Sequence, residues 1–241
     1  MDRAVAFEDQ ILLSQGQLRI HDRPYRRAGF RDEAFTTRFT ILLGPRGVGK
    51  TTAMVQHLLS VAGGDVLAPG ILYVPSDHIA LKEWSLYAIG EAFVLRGGTH
   101  VCFDEIHKVD GWARDLKSLY DTFPELTILA SGSSALEIVQ GGYDLSRRAL
   151  VKLVHGLSFR EYLELRYGCS IEPVALPGIL ADHPHHAERV LKAVKPTGLR
   201  VLPLFHEYLR MGYFPYVLES SDEAVYHVLL EQSVHTILES D

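Results

Sequence analysis

The stretch FTILLGPRGVGKTT, from Phe39 to Thr52, constrains this chain more than any other part of it. Five apolar or β-branched residues, Phe39 to Leu43, read as a buried strand. A glycine-punctuated turn follows, then AMVQHLLSVA with helical spacing. The turn fits G-x-x-x-x-G-K-[ST] without a gap and sits directly between a strand and a helix, the context that pattern requires. Glycines 44, 47 and 49 let successive backbone N–H groups face one point. That nest and the helix N-terminus behind it bind phosphate oxygens. The expected contact residues are Gly44, Pro45, Arg46, Gly47, Val48, Gly49, Lys50, Thr51 and Thr52. Lys50 reaches the β- and γ-phosphates, and Thr51 offers its hydroxyl to Mg²⁺.

Further apolar runs recur at 70–75, 100–105, 126–131 and 149–154, separated by segments with helical spacing at 79–96 and 110–123. In the last of these, Trp112, Leu116, Leu119, Tyr120 and Phe123 form one stripe. Strands alternating with helices imply an α/β fold whose parallel sheet is covered on both faces.

The third run, HVCFDE, ends in adjacent carboxylates, Asp104 and Glu105. In an open parallel sheet, ligands bind at the C-terminal ends of the strands. Asp104 is therefore placed to take the water shell of the Mg²⁺ held by Thr51, which offsets its charge. Glu105, one residue on, can orient and deprotonate an attacking water. An acid pair of this kind points to hydrolysis more than to a phosphate-transferring kinase. Ser131, at the end of ILAS, is either a polar group that touches the water or γ-phosphate, or a strand-end cap. Arg147 and Arg148 precede the fifth run, and either could project to the nucleotide of a neighbouring subunit or stay at the surface.

Other polar groups read more plainly. Arg19, Arg23, Arg26, Arg27 and Arg31 form an arm that is either solvated or binds an anion or partner. Asp77 and His78 read as loop residues at the rim of the site. His183, His185 and His186 read as an exposed loop and helix start, because a proline interrupts the trio.

Composition sets outer limits. A chain of 241 residues with 47% hydrophobic and 22% charged residues can bury a sizeable core. A net charge of −6 argues against a protein that coats nucleic acid. Two cysteines, Cys102 and Cys169, provide neither a disulfide framework nor a zinc site. No signal peptide and no run of about 18 apolar residues is visible, so no membrane contact is expected and a cytoplasmic location follows by default.

Several pieces, in order, resemble the prokaryotic AAA-type ATPases numbered family fourteen. They are GPRGVGKTT, FDEIHKVDGWARDLKSLYD, ILASGSSA, an arginine before the last strand, LSFREYL, and MGYFPYV at 211–217. The resemblance implies a P-loop NTPase sheet of order 5-1-4-3-2, with ATP and Mg²⁺ bound and a mainly helical C-terminal segment. Lys50 and Thr51 match the P-loop, Asp104 and Glu105 the acid pair, Ser131 the polar sensor, and Arg148 the family arginine, with Arg147 beside it. His107 stands where glutamine is frequent. The expected organisation is a helix and basic arm (1–34), a P-loop core (35–168), a turn-rich connection (169–203) and the helical start of a further domain (204–241) that continues past Asp241.

The leading expectation is Mg²⁺-dependent ATP hydrolysis coupled to movement of the C-terminal helices, with ATP and ADP as ligands and a homo-oligomer supplying an arginine. The alternative is a nucleotide-operated binding switch with negligible turnover. A helicase reading of DEIH lacks a second motor core. No Asn-Lys-x-Asp guanine reader is present, and a protein or DNA partner is not identified.

Overall fold

Each of the five apolar runs forms a strand of one parallel sheet in the computed structural model, which describes residues 3–30, 35–81, 84–133, 145, 147–218 and 223–240. The strands are β1 (Phe39–Leu43), β2 (Ile71–Pro75), β3 (His100–Asp104), β4 (Thr127–Gly132) and β5 (Leu150–Leu153). Their order is β2-β3-β4-β1-β5. Read from the other edge this is 5-1-4-3-2, as the resemblance implied. β1, flanked by β4 and β5, is buried along its whole length, whereas the edge strand β5 is largely exposed. That is why the central runs are continuously apolar.

Period-two alternation sorts the side chains between two faces. Phe39, Ile41, Leu43, Leu72, Val74, Val101, Phe103, Ile128 and Ala130 share a core with α3 (Leu86–Val94) and α4 (Trp112–Thr122). The intervening positions include Tyr73, Cys102, Asp104 and Ser131. They face α2 (Lys50–Val61), with the Cys102 thiol 3.9 Å from the Met54 carbonyl. Register pairs Tyr73 with Cys102 and Cys102 with Leu129. The alternation therefore places Tyr73, Asp104 and Ser131 on the α2 side, near the strands' C-terminal ends.

The N-terminal helix α1 (Arg3–His21) takes up much of the segment expected to hold a helix and basic arm. Its buried stripe is Phe7, Gln10, Ser14 and Leu18. The Ser14 hydroxyl accepts the Tyr73 N–H at 2.9 Å, which satisfies one donor of the edge strand β2. The arginine-rich arm is fastened down at two places. Arg26 donates to the Gln56 carbonyl at 3.0 Å and Arg27 to the Val48 carbonyl at 2.9 Å. Both cations are spent on the chain's own backbone. Arg31 lies outside the described residues.

The segment expected to be one helix over 79–96 is a 3-10 turn, Ile79–Leu81, followed by α3. Ser85 interrupts it by acting as N-cap, accepting from the Ala88 N–H.

The chain divides into two units, the first reaching Val154 and the second spanning His155–Ser240. The second contains α5 (Phe159–Tyr167), α6 (Leu176–Ala181), α7 (His183–Val194), α8 (Val201–Met211) and α9 (Glu223–Ser240). Its core gathers Tyr162, Leu163, Cys169, Val194, Leu204, Met211, Val217 and Tyr226. A reciprocal capping box, Ser158 with Glu161, starts α5 and contributes about 1 kcal/mol. Helix α6 lies within the stretch expected to be a turn-rich connection. Pro177 falls in its first turn, where a missing N–H costs nothing. The carboxylate of Glu207 on α8 accepts from Tyr162 and Tyr167, each at 2.6 Å, and pairs with Arg166 at 2.9 Å.

Candidate active site

The phosphate-binding turn is held in shape by what surrounds it. A Cβ on Gly44 would lie 2.1 Å from the Val154 carbonyl oxygen, so no larger residue fits beneath β5. Gly49, at φ 93° and ψ 24°, is the left-handed N-cap of α2 and supplies no side chain to cap it. The first-turn N–H groups of α2 are thus uncapped by any side chain at this end, as anion binding requires. Arg27 secures the loop from behind through the Val48 carbonyl. Val48 is buried, and Arg46 and Gly47 are exposed at the tip.

Lys50 is buried at the first position of α2, and its ammonium donates to the carbonyls of Gly44 at 2.7 Å and Pro45 at 3.0 Å. Burial pushes its pKa below that of an ordinary lysine, against the opposing pull of Glu105 and Asp104.

Asp104 is the centre of the site. Its Oδ2 accepts from the Thr51 hydroxyl at 2.6 Å and from the Tyr73 phenol at 2.5 Å. Its Oδ1 accepts from the Ser131 hydroxyl and from the Glu105 N–H at 3.2 Å. Four donors fill the four lone-pair positions of one carboxylate. Together they offset the loss of solvation of a carboxyl that is 4% exposed at a buried strand end. Burial, and then the Asp104 carboxylate, hold the Tyr73 hydroxyl far above the usual tyrosine range.

Glu105 follows a different course. At φ 54° it is the one non-glycine among the described residues with a left-handed backbone. Its side chain is 25% exposed. Its N–H reaches both Asp104 and the Ser131 hydroxyl at 3.2 Å. Adjacent acids thus have opposite environments: one is saturated and buried, the other accessible. His107 Nε2 lies 3.5 Å from Glu105 Oε2 and 3.1 Å from the Ser133 hydroxyl. The residue at position 107 therefore bridges the second acid to the turn after β4.

Ser131 is completely buried and joined to the acid pair, so here its hydroxyl serves Asp104. Arg148 makes two parallel bonds to Asp121 on α4, at 2.8 and 2.9 Å, while Arg147 is exposed. Both arginines precede β5, whose Leu150 pairs with Thr40 near the start of β1. The P-loop follows the end of β1. The two arginines and the P-loop therefore lie at opposite edges of the sheet, about 15 Å of strand apart. Ser146, also in that segment, lies outside the described residues. Asp77 and His78 are exposed turn residues after β2. His183, His185 and His186 start α7, and among the described residues no group of three His, Cys, Asp or Glu side chains could hold a metal.

Tyr73 carried no signal as a site residue in the sequence, and the resemblance marked His107 only as standing where glutamine is frequent. A tyrosine in a wholly buried strand needs a hydroxyl partner, and that requirement was the only available hint.

The sequence matches the model of the AAA domain family over residues 36–163, more than half of the chain. The chain belongs to the AAA domain family. A curated relative, an uncharacterized protein of Methanocaldococcus jannaschii (strain ATCC 43067), is 32% identical over 206 residues, covering 83% of this AAA chain and 41% of that protein. The chain thus spans about two fifths of that relative's length. Solved structures are similar at a lower level. The structure of C. elegans PCH-2 aligns over 99% of this chain and 70% of its own at 16% identity and a TM-score of 0.38. The S. cerevisiae Hsp104–ADP complex aligns over 97% of this chain and 38% of its own, at 17% identity and a TM-score of 0.36. The 5-1-4-3-2 order of this AAA domain rests on its own strand pairing. No helix among the described residues is long and apolar enough to cross a membrane.

Proposed function

We propose that this AAA domain binds ATP with Mg²⁺ and hydrolyses the bond between the β- and γ-phosphates. The observation that carries this reading is the 2.6 Å bond from Thr51 to Asp104 at the uncapped start of α2, beside Lys50, with Glu105 accessible one residue on. The loop N–H groups between Gly44 and Thr52, Pro45 excepted, cradle the phosphates, and Lys50 exchanges its carbonyl partners for phosphate oxygens. Thr51 offers a hard oxygen whose proton is turned to Asp104, and the Asp104 carboxylate behind it supplies negative charge, a setting that fits Mg²⁺ when phosphates and waters would complete its shell. When bound, Mg²⁺ neutralises charge on the phosphates.

Glu105 orients the water and takes its proton as the oxygen attacks the γ-phosphorus. The bond to the β-phosphate oxygen breaks, and ADP carries that electron pair away. Arg147 is the residue we assign to the neighbouring subunit's nucleotide, because Arg148 is engaged by Asp121 of its own subunit. That role requires a homo-oligomer. Coupling of hydrolysis to the helices of the second unit completes the proposal.

The test is phosphate release from ATP by the wild type and Lys50→Ala, with Mg²⁺ or with EDTA. The expected result is turnover that needs both Mg²⁺ and Lys50. Turnover indifferent to either would overturn the reading.

A further inference from the structure

Tyr73 is two residues upstream of the end of β2 and belongs to no expected motif, yet its hydroxyl meets the same Asp104 oxygen as Thr51. We propose that Tyr73 is a positioning residue for the cation site. It fixes the Asp104 carboxylate so that the Thr51 proton stays directed at Asp104 Oδ2 and the Thr51 lone pairs stay free for a divalent cation. The inference rests on the proposed nucleotide site and adds to it a residue from the neighbouring strand.

The geometry carries the argument in three steps. A threonine hydroxyl has one proton and two lone pairs, and it can ligate a cation only through a lone pair. The direction of its proton therefore decides whether it can serve. In this site the proton is directed to Asp104 Oδ2. A carboxylate rotates broadly about its terminal torsion, so Thr51 finds that oxygen only if something holds it. Ser131 and the Glu105 N–H hold the other oxygen. On Oδ2 the second donor is Tyr73.

Tyr73 is itself immobilised. It is 3% exposed, its strand pairs with β3 along its whole length, and its N–H is bonded to Ser14 of α1. The phenol therefore presents its proton from a fixed point. Tyr73 is thus held at its backbone N–H by Ser14 of the N-terminal helix and reaches, with its phenol, the Asp104 oxygen that Thr51 also meets.

The role makes a distinction that a merely structural tyrosine would not. The phosphate nest and Lys50 do not depend on Tyr73, whereas the contribution of the cation does. Binding of a fluorescent ADP analogue is measured for wild type and Tyr73→Phe, in MgCl₂ and in EDTA. The readout is the ratio of the two dissociation constants for each protein, alongside thermal unfolding without nucleotide. The expected result is unchanged affinity in EDTA and a loss of roughly tenfold in MgCl₂, the scale of one hydrogen bond to a charged group. Equal loss in both conditions overturns the inference, as does no loss in either. A Tyr73→Phe protein that does not fold also overturns it, because the role is then structural. A wild type whose binding is indifferent to Mg²⁺ instead overturns the reading of the site on which the inference rests.

Discussion

Arg148 is clamped to Asp121 by two parallel hydrogen bonds, at 2.8 and 2.9 Å, from the turn before β5 to the last turn of α4. The pairing holds the Asp121 carboxyl below its ordinary pKa, chiefly through those bonds. Its neighbour Arg147 is exposed. The two arginines should therefore separate on substitution. Arg147→Ala is expected to leave the thermal unfolding midpoint unchanged and to cut ATP turnover by roughly 10³-fold, the low end of what an arginine finger supplies. Arg148→Ala is expected to lower the unfolding midpoint. Differential scanning fluorimetry and phosphate release on the same samples check both.

Thr51→Val keeps the shape of the side chain and removes its hydroxyl. Thr51 bonds Asp104 rather than the phosphate-binding backbone. The variant should bind ADP in EDTA like the wild type and gain nothing from added Mg²⁺, as measured by fluorescent-nucleotide titration. Thr51→Ser, which retains the hydroxyl, should recover most of the Mg²⁺ effect.

Gly44→Ala tests the packing under the P-loop. The added methyl would meet the Val154 carbonyl oxygen at 2.1 Å, and a backbone atom cannot swing away as a side chain can. The expected cost is about 1–3 kcal/mol of stability, read by urea unfolding, with loss of nucleotide binding as the loop is displaced.

The second unit should be sensitive to acid through Glu207. Burial alone would raise this carboxyl, but the hydroxyls of Tyr162 and Tyr167, with Arg166, outweigh it and leave the pKa below the ordinary value of 4.5. A folded-state pKa below the unfolded one stabilises above the unfolded value. That stability is fully present above pH 4.5 and is lost as pH falls through the lowered folded value. Glu207→Gln should flatten this acid limb in tyrosine-fluorescence unfolding curves and cost about 1–3 kcal/mol at neutral pH.

Much of the fold was readable in the sequence, because the strands of a doubly covered sheet must be continuously apolar, as FTILL and ILYVP are. The strand order came with the family resemblance, since periodicity carries no information about neighbours. Helix α6 was hidden because Pro177 and Gly178 look like turn residues, although a proline in a first turn breaks nothing. The candidate site was readable where a local pattern carried it, from Gly44 to Thr52 and at Asp104–Glu105. Tyr73 was not, because its contact with Asp104 depends on the register of β2 against β3. The Glu105 backbone turn was equally hidden, since nothing near it in sequence marks a left-handed residue. The basic arm read as either solvated or anion-binding, and only the tertiary fold shows Arg26 and Arg27 donating to carbonyls of α2 and the P-loop.

The most direct test of the account is phosphate release from Mg·ATP by wild type and Glu105→Gln over a range of protein concentrations, with nucleotide binding measured in parallel. The account predicts that Glu105→Gln binds ATP as the wild type does and loses at least about 100-fold in turnover. It also predicts that the wild-type rate per subunit rises with concentration as subunits supply Arg147 to one another. Equal, slow turnover by both proteins while both hold nucleotide would contradict it, and would make this domain a nucleotide-operated switch in which Glu105 is not a base.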